Sequence, residues 1–374
     1  MADNKKIIVR EARRINELEM YEKSWDQLLE KCPESTPAQT FAWLHAYFKY
    51  KLPSETKWIC LFAFNDSDEL LGVYPLIILR KMGIPGLTIQ LFRIPYDALH
   101  TTRTDGLLKP GYEYILNLFL QYLKRRFKSY PAIKIYRIPN ISPSLRCLEK
   151  TESRLFYYKK LITFEDFINT NGEYSEFTHS LNSKFRRELN RQERRLNENV
   201  KLCYKLDEKE RNNLKNLYYF AELENSGWKA EKGTTIKLYK GDEQLFSSAT
   251  ERFYKKGWMR WHFLEADNNN IAALLIVRIN NVDYYMKIAY NESFSYGSPG
   301  HLLINKSLEK TFGEENSFEV NFMNQRKWLK VWNVKKRELF DVFILPQIRI
   351  FAPIVKLILK FHYYRNPPKP HMLD

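Results

Sequence analysis

The segment from Trp58 to Lys81 constrains the fold most. "WICLFAFN" and "LLGVYPLIILRK" are apolar runs rich in β-branched and aromatic residues, and only the turn-forming "DSDE" separates them. Two such runs joined by so short a turn form an antiparallel hairpin. Such short turns between neighbouring strands argue for a mixed sheet rather than an all-parallel one. Runs of the same kind recur as "MRWHFLEAD", "IAALLIVRIN" and "VDYYMKIAY". Between these strands lie amphipathic stretches such as "YEYILNLFLQYLKRRF", "HSLNSKFRRELNRQERRLNE" and "DEQLFSSATERFYKKG", whose apolar residues recur at helical spacing.

The element order restarts near residue 160, at "YYKKLITF". The expected architecture is therefore α/β (α+β), with two mixed twisted sheets flanked by helices. Residues 1–160 and 161–345 are the expected domains, and 346–374 an appended basic amphipathic helix and tail. A chain of 374 residues, 44% hydrophobic, has enough length and apolar content for two cores.

The formal net charge is +16, which favours anionic partners: phosphorylated cofactors, anionic lipid or nucleic acid. Cys32, Cys60, Cys147 and Cys203 are scattered, with no CxxC pair and no histidine at zinc spacing. The expectation is no metal, no disulfide framework and a reducing compartment. "MADNKKIIVREARRINELE" lacks the apolar core of a secretory signal. No run reaches the roughly 18 apolar residues of a membrane span. A cytoplasmic protein is expected.

One motif stands out among few glycines. "YNESFSYGSPGHLL" follows the strand "VDYYMKIAY" and opens a helix. Ser298 can cap that helix with Pro299 at its first position. Gly297 and Gly300 allow close approach to the backbone, and a helix start attracts phosphate. The same residues also fit an ordinary turn. Lys287 lies in mid-strand between aromatic residues; on the face of Tyr285 and Ala289 it would be costly to bury unpaired, so it would either face a cleft or snorkel to the surface. "ENSGWKAEKGTTI" breaks a helix before Trp228 and Lys229, which fit either a pocket wall with a cation facing an anion or a buried Trp beside a surface Lys. Arg187, Arg191 and Arg194 form a stripe on a helix, either a polyanion contact or a solvated face. The histidines form no recognisable catalytic triad. In "PIVKLILKFHYYR", Ile354, Leu357, Ile358 and Phe361 share one face and Lys356 and Lys360 another. At roughly 18 Å the segment is too short to cross a bilayer. It suits a membrane interface or the protein's own core.

The ordered set "SLNSKFRRELNRQERRLNE", "ENSGWKAEKGTTI", "IAALLIVR", "YYMKIAYNESFSYGSPGHLL" and "FEVNFMNQRKWLKVW" resembles GNAT-type acyltransferases of the CelD-like, cellulose-biosynthesis type, relatives of the Fem-type peptidyltransferases. The resemblance runs from about Trp25 to Trp332. It implies tandem GNAT-like domains and an acyl-CoA co-substrate lying between two splayed parallel strands. It also implies a pyrophosphate held by backbone amides from Tyr296 to Leu302. The implied donor contacts are Gly297, Ser298, Gly300, His301 and Leu302, with Lys287 and Tyr290 at the reacting centre. Trp228, Lys229, Arg187 and Arg191 would serve the acceptor, together with Asp97 and Asp105 for an amine. The usual Q/R-x-x-G-x-G/A loop is absent, and Asn321 stands where relatives often carry an acid. The implied reaction is N-acylation of an amine on a lipid or a sugar or lipid-linked precursor. It would take place in the cytoplasm or on the inner face of the membrane. Aminoacyl-tRNA-dependent transfer and non-catalytic nucleic-acid binding are the alternatives. The first predicts a heptad-rich helical insertion, which is not visible; the second predicts an RNA-binding motif, which is also not visible.

Overall fold

In the computed structural model, which describes residues 6–84, 87–101, 103–150, 156–207 and 212–365, "KIIVREA" forms strand β1 (Ile8–Ala12). Helices α1 (Ile15–Glu19), α2 (Glu22–Glu30) and α3 (Phe41–Ala46) follow. The expected hairpin is present: β2 (Trp58–Phe64) pairs antiparallel with β3 (Leu70–Ile84), and β1 extends it on the other side of β2. Its turn is built by Asn65, whose side-chain oxygen accepts the N–H groups of Ser67 (3.1 Å) and Glu69 (2.9 Å). Strand β4 (Leu87–Arg93) pairs antiparallel with β3, and the short β5 (Leu107–Leu108) also pairs with β3. Helix α4 (Ile115–Phe127) buries Ile115, Leu116, Phe119, Leu120 and Leu123, the stripe its periodicity predicts. It ends where Lys128 turns left-handed, at φ 49°. Strand β6 (Tyr130–Ile138) then runs parallel to β4, and α5 (Pro143–Leu148) follows.

Strand β7 (Tyr157–Asn169) leads into the second half. The basic amphipathic stretch is divided into α6 (Tyr174–Ser180) and α7 (Ser183–Asn197), because Asn182 caps α7 by accepting the N–H of Lys184 at 2.9 Å. Next come β8 (Leu202–Lys205), α8 (Asn213–Asn225), α9 (Trp228–Glu231) and α10 (Asp242–Lys255). The strands β9 (Met259–Ala266), β10 (Asn269–Ile279) and β11 (Val282–Tyr290) form the antiparallel run predicted. Helix α11 (Pro299–Phe312) and strand β12 (Glu319–Asn321) follow. Residues Lys327–Trp332 form a 3-10 segment. The chain closes with β13 (Lys335–Ile344) and α12 (Phe351–Arg365).

The described residues up to Phe164, together with those from Glu338 on, form one unit, and Glu165–Arg337 form the other. The C-terminal crossing falls inside β13, because Phe340–Ile344 pairs with β6 of the first unit. The first unit's strands run in the order β1-β2-β3-β4-β6-β13, with β5 beside β3; the second unit's run β7-β12-β11-β10-β9-β8. Both are mixed sheets flanked by helices, as the sequence predicts. In the second unit, successive residues of β9 serve opposite layers. Trp261 gives its indole N–H to Asn213 of α8 (3.0 Å), while His262 meets Ser307 of α11 (2.5 Å).

Candidate active site

Strand β11 is the axis of the site. It pairs parallel with β12 over Val282–Tyr284 only, opposite Glu319–Asn321. On its other edge, Ile276 of β10 faces Tyr285 while the preceding Leu275 faces Lys287, so Met286 is an extra, bulged residue. The bulge breaks the alternation that a plain strand would show. Tyr285, Ile288 and Tyr290 all join the core cluster that contains Leu302 and Leu303 of α11. Lys287 instead reaches Glu224 of α8 and lies 5.6 Å from the centre of the Phe246 ring on α10. Lys287 and Tyr285 therefore lie on opposite faces, contrary to the expectation from period two. Lys287 and Tyr290 do not face one centre together.

On the α8 side the structure assembles a charged cluster. Glu224 has a fully buried side chain, and one carboxylate oxygen accepts from Lys287 at 2.6 Å and from Lys229 at 3.2 Å. Its other oxygen accepts the Ile236 N–H at 2.9 Å. Burial alone would push this carboxyl up, but Lys287 and Lys229 outweigh it and hold it down at about 2. Lys229 is pulled the other way. Burial, reinforced by the neighbouring charge of Lys287, lowers its ammonium to about 8. Lys229 also donates to the carbonyl oxygen of Ile288 at 2.8 Å. It therefore occupies the stretch of β11 beyond Tyr284, where β12 no longer follows. The largely buried Arg326, whose ionisation is lowered by burial, adds its field to Lys229. One carboxylate thus serves two lysines with a guanidinium nearby, and the cluster carries excess positive charge.

Glu224 is absent from the sequence-based candidates. A signal was present: with Leu217, Phe220 and Ala221 it lies on the buried stripe of α8, where an unpaired acid would be prohibitive.

The start of α11 is more closed than the sequence suggests. Ser298 is left-handed (φ 46°, ψ 55°), and its carbonyl accepts the N–H groups of His301 (2.9 Å) and Leu302 (3.3 Å). Ser298 gives its own N–H to Ser295 (3.0 Å), and Pro299 has none to give. In this first turn only the Gly300 N–H has no carbonyl partner among the described residues. The expected cradle of amides from Tyr296 to Leu302 contracts to that group. A Cβ on Gly300 would rest 3.5 Å from the Ile288 side chain and 3.6 Å from Tyr290, which is ordinary contact. Gly297 is different, since a Cβ there would lie 2.3 Å from Leu196 of α7. Gly297 serves helix packing, not ligand approach. Gly297→Ala is expected to cost about 1–3 kcal/mol in urea unfolding. Gly300→Ala should stay within about 0.5 kcal/mol of the parent.

His301 is not a phosphate contact in its charged form. Its Nδ1 accepts the indole N–H of Trp332 at 3.1 Å, its ring stacks on Trp332, and Trp328 and Phe185 meet it edge-on. Burial in this aromatic box lowers it to about 4, so it is neutral at physiological pH. Asn321 is likewise engaged. Its amide donates to Glu319 (2.9 Å) and accepts the Met323 N–H (2.8 Å), which fixes the turn after β12. Arg187 and Arg191 are exposed on α7, and Arg191 pairs with Glu188 at 2.8 Å. The side chain of Trp228 lies outside the described residues.

Asp97 and Asp105 belong to the first unit and are occupied. Asp97 sits 3.4 Å from Lys51 and accepts the Leu99 N–H at 2.9 Å. Asp105 is buried. It accepts the hydroxyls of Ser142 and Ser144 (both 2.5 Å) and the N–H groups of Gly106 (2.7 Å) and Ser144 (3.3 Å). With these bonds it anchors the start of α5 and has no capacity left for an amine. The second unit also holds a Ser307–His262–Asp207 chain, with His262 2.5 Å from Ser307 and 3.1 Å from Asp207. Sequence spacing gave no hint of it. Ser307 is fully buried in the middle of α11, so no substrate reaches its hydroxyl and the chain is structural.

Residues 183–323 match the family model described as an acetyltransferase (GNAT) domain. The fold is GNAT-like. That match covers α7 through the turn after β12 and so contains Glu224, Lys229 and Lys287, while Arg326 lies three residues beyond it. It is to the GNAT domain as a class, which is coarser than the CelD-like assignment. Among solved structures, FemX is similar at a TM-score of 0.59 and 13% identity, covering 90% of this chain and 98% of that one. A conserved protein of unknown function from Bacteroides thetaiotaomicron is similar at a TM-score of 0.54 and 11% identity, covering 90% and 100%. At such identities the likeness concerns the fold. No curated protein matches the sequence.

Proposed function

We propose that the second unit is an acyl-CoA-dependent N-acyltransferase whose acceptor is an amine that also carries an anionic group. The observation that carries this reading is the surroundings of Ile288. Beyond Tyr284, β12 no longer accompanies β11, and at Ile288 Lys229 holds the carbonyl while Gly300 lies beside the side chain. A thioester lying along this freed edge would place a phosphate oxygen on the Gly300 N–H, at the positive end of α11. Its acyl carbon would then come near Lys229.

The reaction needs little covalent chemistry from the protein. The amine nitrogen attacks the thioester carbonyl, and the carbonyl electrons move onto oxygen. The tetrahedral intermediate collapses, the C–S bond breaks and an amide remains. Lys229, with its ammonium lowered to about 8, is neutral in an appreciable fraction of molecules at physiological pH. In that form it takes the proton from the attacking nitrogen and later returns it to the departing sulfur. Lys287 stays paired with Glu224 and contributes a fixed positive field for the developing oxyanion. With Lys229 neutral, the charges of Lys287 and Arg326 still outnumber that of Glu224 and favour an acceptor with a carboxylate or phosphate.

Incubation with a panel of acyl-CoAs and amines, followed by thiol detection and product mass, tests this. Amine-dependent thiol release, fastest for amines bearing a carboxylate or phosphate, is expected. No release with any donor would refute the reading. Release with equal rates for neutral amines would remove only the acceptor's anionic group from it.

A further inference from the structure

Helix α12 has an apolar face on each side. The inner face docks on the first unit. Ala352 is buried, and the Tyr363 ring lies 6.2 Å from that of Tyr158 and 6.0 Å from that of Phe343. The opposite face carries Ile354, Leu357, Ile358 and Phe361, which remain 52%, 68%, 61% and 54% exposed, with Ile350 and Tyr364 exposed at its ends. Their spacing of three and four residues makes one continuous stripe. A surface helix on a globular domain needs one apolar stripe, not two, and a contiguous exposed stripe marks an interaction site.

Charge selects the occupant. No Asp or Glu occurs from Val342 to Leu373, whereas Arg349, Lys356, Lys360, Arg365 and Lys369 do. Arg349, Lys360 and Arg365 are exposed. Among the described residues no helix is long and apolar enough to cross a membrane. We infer that α12 is a docking surface for an anionic phospholipid bilayer. Its outer stripe enters the acyl boundary while the cations meet lipid phosphates. The helix lies in the interface plane, and the first unit's Tyr158 and Phe343 hold it from behind. This inference rests on α12 alone and is independent of the acyl-transfer reading.

The test is sedimentation of the full chain with vesicles of phosphatidylglycerol and phosphatidylcholine, compared with phosphatidylcholine alone. Binding is expected to the anionic vesicles and to weaken as salt rises. Leu357→Glu/Phe361→Glu should reduce the partition coefficient at least about tenfold. Lys360→Gln should reduce it about fivefold. Both positions are exposed, so the circular dichroism spectrum and melting temperature should be unchanged, which separates lost docking from lost folding. Absence of binding by the parent chain overturns the inference, as does equal binding by the double variant. A stable dimer that the double variant splits, without vesicle binding by the parent, would assign the stripe to a second copy of the chain instead.

Discussion

Glu224→Gln is expected to lower folding stability by about 3–5 kcal/mol, because it leaves two lysines partly buried without their shared carboxylate. Urea unfolding measures it directly. Glu222, two residues away on the same helix, supplies the comparison: it pairs with Lys237 near the surface, so Glu222→Gln should cost at most about 1 kcal/mol. A second substitution, Lys287→Met, should restore part of the loss in the Glu224→Gln background, since it removes one of the stranded charges. The pH dependence has a definite sign. The Glu224 carboxyl lies at about 2 in the folded chain against an ordinary 4.5. Its contribution is therefore fully present above 4.5 and is lost as the pH falls toward 2. A loss below about 1 kcal/mol on Glu224→Gln would show that the carboxylate is not the counter-ion of the cluster.

The second large effect concerns Lys229. Lys229→Met should lower amine-dependent thiol release by about 10²–10⁴-fold. The parent's rate should rise with pH through about 8, as the ammonium of Lys229 gives up its proton, and then level off. The variant should lose that limb. A residue that only held Ile288 in place would change the rate without removing the limb. The same burial also affects stability. The lowered ammonium makes stability rise between about 8 and 10.5, where an unfolded lysine still holds the proton that the folded one has released.

Much of the fold is legible in local patterns. The β2–β3 hairpin follows from two apolar runs and a turn built by Asn65, and α4 follows from its stripe of Ile115, Leu116, Phe119, Leu120 and Leu123. Those signals lie within a few residues of each other. The site is less legible, because its determinants are distant in sequence or depend on one backbone irregularity. The bulge at Met286 turns Lys287 away from Tyr285, and no composition signal announces it. Glu224 is 63 residues from the lysine it neutralises. Asp105 reads as an exposed loop acid until Ser142 and Ser144, 37 and 39 residues on, close around it. Ser298 reads as an N-cap, but its backbone is left-handed, its hydroxyl makes no capping bond, and its carbonyl takes the amides of His301 and Leu302. Lys229 was legible for a simpler reason: it follows a helix break, where a long cation can reach back over its own turn to Glu224.

In the proposed complex an acyl-CoA lies along β11 beyond Tyr284 with its phosphates at the start of α11. A crystal structure of the chain with a non-hydrolysable acyl-CoA analogue tests it most directly. The thioester carbonyl is expected beside Ile288 and Lys229, with a phosphate oxygen on the Gly300 N–H. An analogue bound elsewhere on the chain, or none bound at millimolar concentration, would contradict it.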